Sequence, residues 1–229
     1  MKNLSELESS IGLKFKDQHI LEVAFIHKSY VNETPGVHED NERLEFLGDA
    51  VLELAVTDYL FRNYPDKPEG ELTNWRSALV KGKNLAQVAS ALQLGDYLKL
   101  SNGEEMSGGR TKSYILANTM ESLIGAIYMD KGYDTANEFI LKFIIVLLEE
   151  IIKKGLYIDS KSRVQELAQE KLNITPRYEL LKESGPDHDK IFEMGIYFSD
   201  ELVGKGKGPS KQEAEQAAAL KALKQMKWS

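Results

Sequence analysis

The stretch Asn41-Glu42-Arg43-Leu44-Glu45-Phe46-Leu47-Gly48-Asp49-Ala50-Val51-Leu52 predicts an α helix with two chemically different faces. At about 100° per residue, Glu42, Glu45 and Asp49 fall within about 60° of one another around the helix axis. The apolar residues that recur at helical spacing predict the buried face: Leu44, Leu47, Val51 and Leu54. We therefore expect a helix that packs on a core and carries three carboxylates on its other side.

Carboxylates at this spacing have two interpretations, which the helix alone leaves open. Like charges four residues apart, such as Glu45 and Asp49, slightly destabilise a helix. A hard cation such as Mg²⁺ would stabilise them, because it takes oxygen ligands from one or two carboxylates and keeps waters. The alternative is a solvated acidic face, which is common on proteins.

A second stretch, residues 115–126, strengthens the interpretation as a metal site. Asn118 and Glu121 are three residues apart and share a polar face with Gly125. A missing side chain at Gly125 permits another helix to approach closely. If the two helices cross there, their oxygen ligands surround one cation; periodicity alone cannot show that they cross.

Composition limits the class of protein. The chain has 229 residues, of which 42% are hydrophobic, and it contains no cysteine. Disulfides and thiolate metal sites are therefore excluded. Residues 1–15 lack the pattern of a signal peptide, and the apolar stretch 139–152 is too short and too charged to span a bilayer. We expect a cytoplasmic protein with no membrane partner.

The net charge of −7 is unevenly distributed. Residues 159–229 contain 12 basic and 12 acidic residues, so the whole excess of acid lies in the preceding part. Net negative charge alone argues against a nucleic-acid partner, because proteins that bind phosphates usually carry a basic excess. The net charge alone leaves two interpretations of this acidic excess open, a solvated surface and a cation site.

The pattern of the chain changes near residue 153. Residues 1–152 predict an all-α domain of six to nine helices, and residues 153–158 predict a linker. Residues 159–229 predict an α+β domain of order αβββα. Its expected elements are a helix over 161–172, strands over 177–181, 190–198 and 201–205, and a helix over 210–226 with Ser210 as N-cap.

The stretch 41–52 resembles the signature of the ribonuclease III family over its full length. Further segments that fit the family in order are His27-Lys28-Ser29, Glu69-Gly70-Glu71-Leu72, Ser107-Gly108-Gly109 and residues 118–130. Residues 161–166, 185–188 and 210–218 resemble the three contact regions of a double-stranded-RNA-binding domain. The resemblance covers nearly the whole chain and implies the bacterial arrangement of one nuclease domain followed by one binding domain.

The resemblance implies an Mg²⁺-dependent endoribonuclease, with Mn²⁺ as a substitute. Glu45, Asp49, Asn118 and Glu121 would hold the metal, with Asp49 and Glu121 as the catalytic pair. Many family members carry Asp where this chain has Asn118, whose amide oxygen brings one negative charge fewer. The implied products carry 5′-phosphate and 3′-hydroxyl ends with short 3′ overhangs, and the implied substrates are double-stranded rRNA precursors, mRNA and other structured transcripts.

The family also implies a homodimer formed through the nuclease domain, with Phe46 as a candidate contact. Glu42 and Glu69 correspond to further acidic positions of the family, near the site and the dimer contact.

The implied RNA contacts of the second domain are of three kinds. Gln165 and Glu166 on its first helix would reach one minor groove, and Pro186 and His188 in a loop would reach the next. The phosphates between the two grooves would face Lys205, Lys207 and Lys211.

Two alternatives of other classes stay open at this point. One is a non-catalytic double-stranded-RNA-binding protein that kept the fold, and the presence of Glu45, Asp49 and Glu121 counts against it. The other is a helical scaffold that dimerises and binds no RNA, and the pattern of residues 159–229 counts against that.

Overall fold

The computed structural model describes residues 2–155, 157, 159–186 and 190–228. The chain divides into two compact units, Met1–Tyr157 and Ile158–Ser229. The predicted order of an all-α domain followed by an α+β domain is confirmed. Within the described ranges, no helix has both the length and the apolar character needed to cross a membrane.

The described part of the first unit has ten α helices, more than the six to nine predicted, because several are only five to eight residues long. The helices are α1 Leu4–Ile11, α2 Gln18–Val23, α3 Lys28–Glu33, α4 Glu42–Asn63, α5 Glu69–Leu79, α6 Gly82–Ala91, α7 Asn102–Met106, α8 Ser113–Lys131, α9 Tyr133–Phe143 and α10 Leu148–Lys154. Short 3₁₀ turns lie at Leu94–Tyr97, Gly109–Thr111 and Ile145–Leu147.

Helix α8 is the centre of this unit. It packs against α2, α4, α6 and α9, and its side chains are buried nearly all the way round, as expected for a helix inside a core. The buried hydroxyl groups of α8 are satisfied within the protein. Thr119 donates to the carbonyl of Ile115 at 2.6 Å, and Ser122 donates to the carbonyl of Ala24 at 3.0 Å.

Helices α4 and α8 cross with their backbones in direct contact. A Cβ atom on Gly48 would lie 1.8 Å from the carbonyl oxygen of Glu121, and one on Gly125 would lie 2.2 Å from that of Leu44. Neither distance leaves room for a methyl group. The expectation that Gly125 permits a close approach is confirmed, and the partner at the crossing is Gly48.

Two details of the first unit differ from the sequence-based expectations. Leu54 is 56% exposed rather than buried, because it lies about 80° around the helix from Leu44, at the edge of the apolar stripe. The segment predicted as a linker begins inside a helix, since α10 continues through Lys154. The ring of Tyr157 then packs edge-on against buried Trp75, with the ring centroids 6.0 Å apart.

The second unit has the predicted order of elements. They are α11 Ser160–Leu172, β1 Arg177–Ser184, β2 Ile191–Phe198, β3 Glu201–Gly208 and α12 Lys211–Gln225. The strands form an antiparallel sheet in the order β1-β2-β3. Ser210 caps α12 as predicted, since its hydroxyl accepts from the backbone N–H of Glu213 at 3.2 Å.

Glycine residues at every second position of the last part of β3 explain how α12 packs on the sheet. Cβ atoms on Gly204, Gly206 and Gly208 would each lie within 2.7 Å of backbone atoms of α12. The alanine-rich helix therefore lies directly on the strand. Because side chains alternate across a strand, Lys205 and Lys207 extend from the opposite face of the sheet.

The crossing of α4 and α8 predicts a large loss of stability for Gly48→Ala. The added methyl would meet backbone, which cannot move aside as a side chain can, so we expect at least the upper part of the ~1–3 kcal/mol typical of overpacking. Gly70→Ala is the matched control, because a Cβ there meets no atom within 4 Å. Urea unfolding of both variants measures the difference, and equal midpoints would show that the helices do not touch at Gly48.

Candidate active site and RNA-binding surface

The crossing of α4 and α8 brings together the four residues predicted to hold a metal. Glu45 and Asp49 extend from α4, and Asn118 and Glu121 extend from α8. The side-chain amide of Asn118 donates a hydrogen bond to the carboxylate of Glu45. The carboxylates of Asp49 and Glu45 both act on Glu121 electrostatically. The two helix faces therefore form one acidic cluster.

Burial and mutual repulsion disfavour negative charge in this cluster. Burial is the main reason that the pKa of Glu121 is raised to about 7, and repulsion by Asp49 and Glu45 adds to it. Burial also raises the pKa of Glu45, whereas the hydrogen bond from Asn118 lowers it. Repulsion by neighbouring carboxylates raises this pKa further; they belong to Glu42, Asp49 and Asp40. Such a site gains stability when a positive charge enters it.

The donor chemistry of the cluster suits a hydrated Mg²⁺-type ion. As placed, no group of three or more His, Asp or Glu side chains in the described ranges is arranged to hold a metal ion. A hard divalent cation does not need such a cage, because it binds through one or two carboxylates and retains several waters. Asp49, Glu121 and the amide oxygen of Asn118 are oxygen donors of this kind.

Glu42 lies beside the cluster and is held by a lysine. The ammonium of Lys28 contacts both carboxylate oxygens of Glu42, at 2.9 and 2.7 Å. A cavity of about 230 Å³ separates α3 from the first turns of α4 and α8. It is lined by His27, Lys28, Asn41, Glu42, Glu45, Tyr114, Ile115 and Asn118.

Lys28 and Tyr114 are among the lining residues to which the sequence assigns no role. Lys28 lies in the segment His27-Lys28-Ser29 that resembles the family, and its separation of 14 residues from Glu42 gives no helical relation that would predict their pairing. Tyr114 carried a usable signal, since it lies four residues before Asn118 and seven before Glu121, on the same face of α8. Its ring is exposed at the cavity.

Glu69 does not lie with the other carboxylates within one chain. It is the first residue of α5, and it accepts a hydrogen bond from the hydroxyl of Thr73 at 2.9 Å. It lines a different cavity, of about 500 Å³, together with Phe61 and Arg76. The chain alone therefore gives Glu69 no contact with the cluster at the helix crossing.

The residues predicted to bind RNA fall on two surfaces of the second unit. Gln165 and Glu166 on α11, Pro186 after β1 and Lys211 at the start of α12 are all exposed. Lys205 and Lys207 were expected to face the same phosphates as Lys211, but they extend from the face of the sheet that points away from α12. His188 lies outside the described residues.

Lys207 also has a local partner. Its ammonium lies 3.7 Å from a carboxylate oxygen of Glu193 on the neighbouring strand. On α11, the carboxylate of Glu166 lies 3.6 Å from the guanidinium of Arg163. The Arg163–Glu166 pair is exposed and contributes little to stability, whereas the carboxylate of Glu193 is partly buried.

Models of two protein families match the chain. Residues 17–148 match the family described as ribonuclease-III-like, and residues 160–226 match the double-stranded RNA binding motif. The first match includes the whole acidic cluster, and the second includes the αβββα unit. Together they define a nuclease joined to a module for double-stranded RNA.

Full-length relatives show the same arrangement. Ribonuclease 3 of Treponema denticola is 43% identical over 225 residues, which are 98% of this chain and 92% of that protein. Ribonuclease 3 of Dehalococcoides mccartyi is 45% identical over 226 residues, which are 98% and 95% of the two chains. The chain belongs to the ribonuclease III family, and it is an endoribonuclease specific for double-stranded RNA.

A solved structure is similar to the first unit. The nuclease domain of ribonuclease III from Campylobacter jejuni is 43% identical, covers 63% of this chain and 95% of its own, and superimposes with a TM-score of 0.58. Family membership implies a divalent metal cofactor. The oxygen donors at the crossing of α4 and α8 fit that requirement.

The hydrogen bond from Asn118 predicts that Asn118→Asp destabilises the metal-free protein. The variant loses a donor to Glu45 and adds a fourth carboxylate, which we expect to cost ~1–2 kcal/mol and to lower Tm by about 2–6 °C. Thermal unfolding in EDTA measures this, with Asn74→Asp, at an exposed position of α5, as the control. Equal Tm values for the Asn118→Asp and wild-type proteins would exclude Asn118 from the cluster.

Proposed function

We propose that the chain hydrolyses phosphodiester bonds of double-stranded RNA at the crossing of α4 and α8, with Mg²⁺ as cofactor and Mn²⁺ as a substitute. The observation that carries the proposal is the half-buried acidic cluster drawn from two helices, in which Glu121 has its pKa raised to about 7 by burial and by its neighbours. The proposed products have 5′-phosphate and 3′-hydroxyl ends with short 3′ overhangs.

The residues at the crossing of α4 and α8 have different proposed roles. When bound, a divalent ion lowers the pKa of its water ligands and offsets the charge that develops on the phosphate. Glu45, Asp49 and Glu121 would provide the charged oxygens that hold the ion, and Asn118 would provide a neutral one. The side-chain amide of Asn118 also favours the charged form of Glu45, which lowers the pKa of that carboxyl group.

The second unit provides the contacts that select a duplex. Double-stranded RNA is recognised mainly by shape, through 2′-hydroxyls and phosphates over about 16 base pairs. We propose that Gln165 and Glu166 contact one minor groove of the duplex, and that Pro186 and His188 contact the next. Lys211 lies at the N-terminus of α12, where backbone N–H groups add to its attraction for phosphate.

A duplex has two strands, and the first unit carries one acidic cluster, so we propose a homodimer. Helix α4 has an exposed apolar face formed by Phe46, Leu54 and Phe61, which are 82%, 56% and 73% exposed. They fall within about 80° of one another around the helix. A study of the C. jejuni nuclease domain concerns flexibility in its region of dimer formation, which supports the same mode of assembly here.

The proposed substrates are rRNA precursors, mRNA and other structured transcripts that form long duplexes. We place the activity in the cytoplasm, because bacterial transcripts are made and processed there. The neutral charge of residues 159–229 supports recognition by shape rather than by a strong basic field.

The first test replaces one proposed metal-holding carboxylate. Glu121→Gln should reduce cleavage of a long RNA duplex at least ~100-fold, because each ~1.4 kcal/mol of lost transition-state stabilisation is tenfold in rate. Binding of the duplex, measured by gel shift in EDTA, should persist. Glu138→Gln, at an exposed position of α9, is the control and should cleave normally. Wild-type turnover by the Glu121→Gln protein would refute the proposed site.

The second test addresses the dimer. Phe46→Asp should shift the protein toward the monomer in sedimentation velocity, because a charge replaces the most exposed of the three apolar side chains on this face of α4. Met106→Asp is the control, since Met106 is 89% exposed but lies on α7. The proposal fails if the Phe46→Asp protein sediments as the wild-type dimer at micromolar concentration.

A further inference from the structure

The cavity beside the acidic cluster contains one ammonium group among its lining side chains, that of Lys28. The carboxylates that line this cavity are those of Glu42 and Glu45. The ammonium of Lys28 contacts both carboxylate oxygens of Glu42. The family resemblance and the proposed chemistry assign no function to this lysine. Its charge lies in the same cavity as the side chains of Glu45 and Asn118, two of the residues predicted to hold the metal.

The backbone around Lys28 is held in place by its two neighbours. The ring nitrogen Nδ1 of His27 accepts from the backbone N–H of Ser29 at 3.2 Å, and it lies 2.8 Å from the hydroxyl oxygen of Ser29. The same hydroxyl accepts from the backbone N–H of Ser101 at 3.1 Å. The start of α3 is therefore fixed to the loop before α7, and the Lys28 side chain extends from a fixed point.

Glu42 acts on the proposed metal site through its charge. It lies three residues before Glu45 on α4, and both side chains line the same cavity. Both Glu42 and Asp40 raise the pKa of Lys28, the hydrogen bond with Glu42 being the largest cause. The charge felt at the cluster thus depends on whether Glu42 is paired with the ammonium.

We propose that Lys28 is a positioning residue that holds Glu42 at the cavity wall and sets the affinity of the acidic cluster for its divalent cation. Lys28 acts through Glu42 and through its own charge, and it does not ligate the ion. The proposal rests on the proposed metal site at the crossing of α4 and α8.

Lys28→Met and Glu42→Gln should change the affinity of the cluster for a cation in opposite directions, because they remove charges of opposite sign. Lys28→Met leaves Glu42 unpaired, so the cluster attracts a cation more strongly. Glu42→Gln leaves Lys28 unpaired, so the cluster attracts a cation less strongly. At separations of about 8 Å in water, one unit charge changes the affinity for a divalent ion about two- to fivefold. The double variant restores the balance of charge.

The test is Mn²⁺ binding by the full-length protein without RNA, followed by the electron paramagnetic resonance signal of the free ion. We expect Kd to fall about two- to fivefold for Lys28→Met and to rise by a similar factor for Glu42→Gln. The double variant and Lys28→Arg should bind within about twofold of the wild type. Lys153→Met, at an exposed position of α10, removes the same charge outside the cavity and should leave Kd unchanged.

The outcomes separate this inference from the function on which it rests. Mn²⁺ binding by Glu121→Gln as tight as that of the wild type would refute the metal site itself. If binding requires Glu121 but Lys28→Met binds Mn²⁺ no more tightly than the wild type, the role of Lys28 is refuted and the site stands. An unchanged Kd for Glu42→Gln would likewise refute the coupling. Circular dichroism and Tm of each variant show that the comparison is made on folded protein.

Discussion

The contact between Gly48 and Gly125 is the constraint on which the nuclease unit depends. Because neither residue has a side chain, the backbones of α4 and α8 touch, and the side chains on either side of the contact are forced together. Glu45 and Asp49 flank Gly48 on one helix, while Glu121 lies one turn before Gly125 on the other. Packing at the crossing therefore creates the acidic cluster, which no single helix contains.

This arrangement has an electrostatic cost that the surrounding residues reduce. Half-buried carboxylates repel one another and lose hydration, which is why the pKa values of Glu121 and Glu45 are raised. Asn118 offsets part of the cost by donating to Glu45, and Lys28 pairs with Glu42 at the margin. Conflict of this kind within an otherwise well-packed core is typical of functional sites.

Helical periodicity was sufficient to predict α4, α8 and the faces that carry the cluster, because both helices are long and their polar positions recur at regular spacing. The crossing itself was not predictable from periodicity, since only the three-dimensional packing shows that Gly48 and Gly125 meet. The pairing of Lys28 with Glu42 was missed for a similar reason, as it joins two helices through a loop.

The errors in the second unit have a different origin. The sequence predicts a third strand over residues 201–205. In the structure β3 continues to Gly208, and the glycines make room for α12. The same alternation turns Lys205 and Lys207 away from Lys211, which the lysine spacing alone could not reveal.

In the first unit, the expectation that Leu54 is buried was wrong. A residue at the edge of the apolar stripe of a helix can face either solvent or core.

The distribution of charge makes cation binding and RNA binding interdependent. The first unit and the residues up to 158 carry the whole excess of acid, so a duplex that approaches the cluster is repelled while the site holds no cation. If the proposed site holds a divalent ion, the charge of the ion would offset that repulsion, and the negative charge of a nearby phosphate would in turn favour the ion. By thermodynamic linkage each ligand strengthens the binding of the other by the same factor. A neutral binding unit is compatible with the proposed function, because duplex RNA is recognised mainly by shape, while the acidic cluster would favour the metal-loaded state.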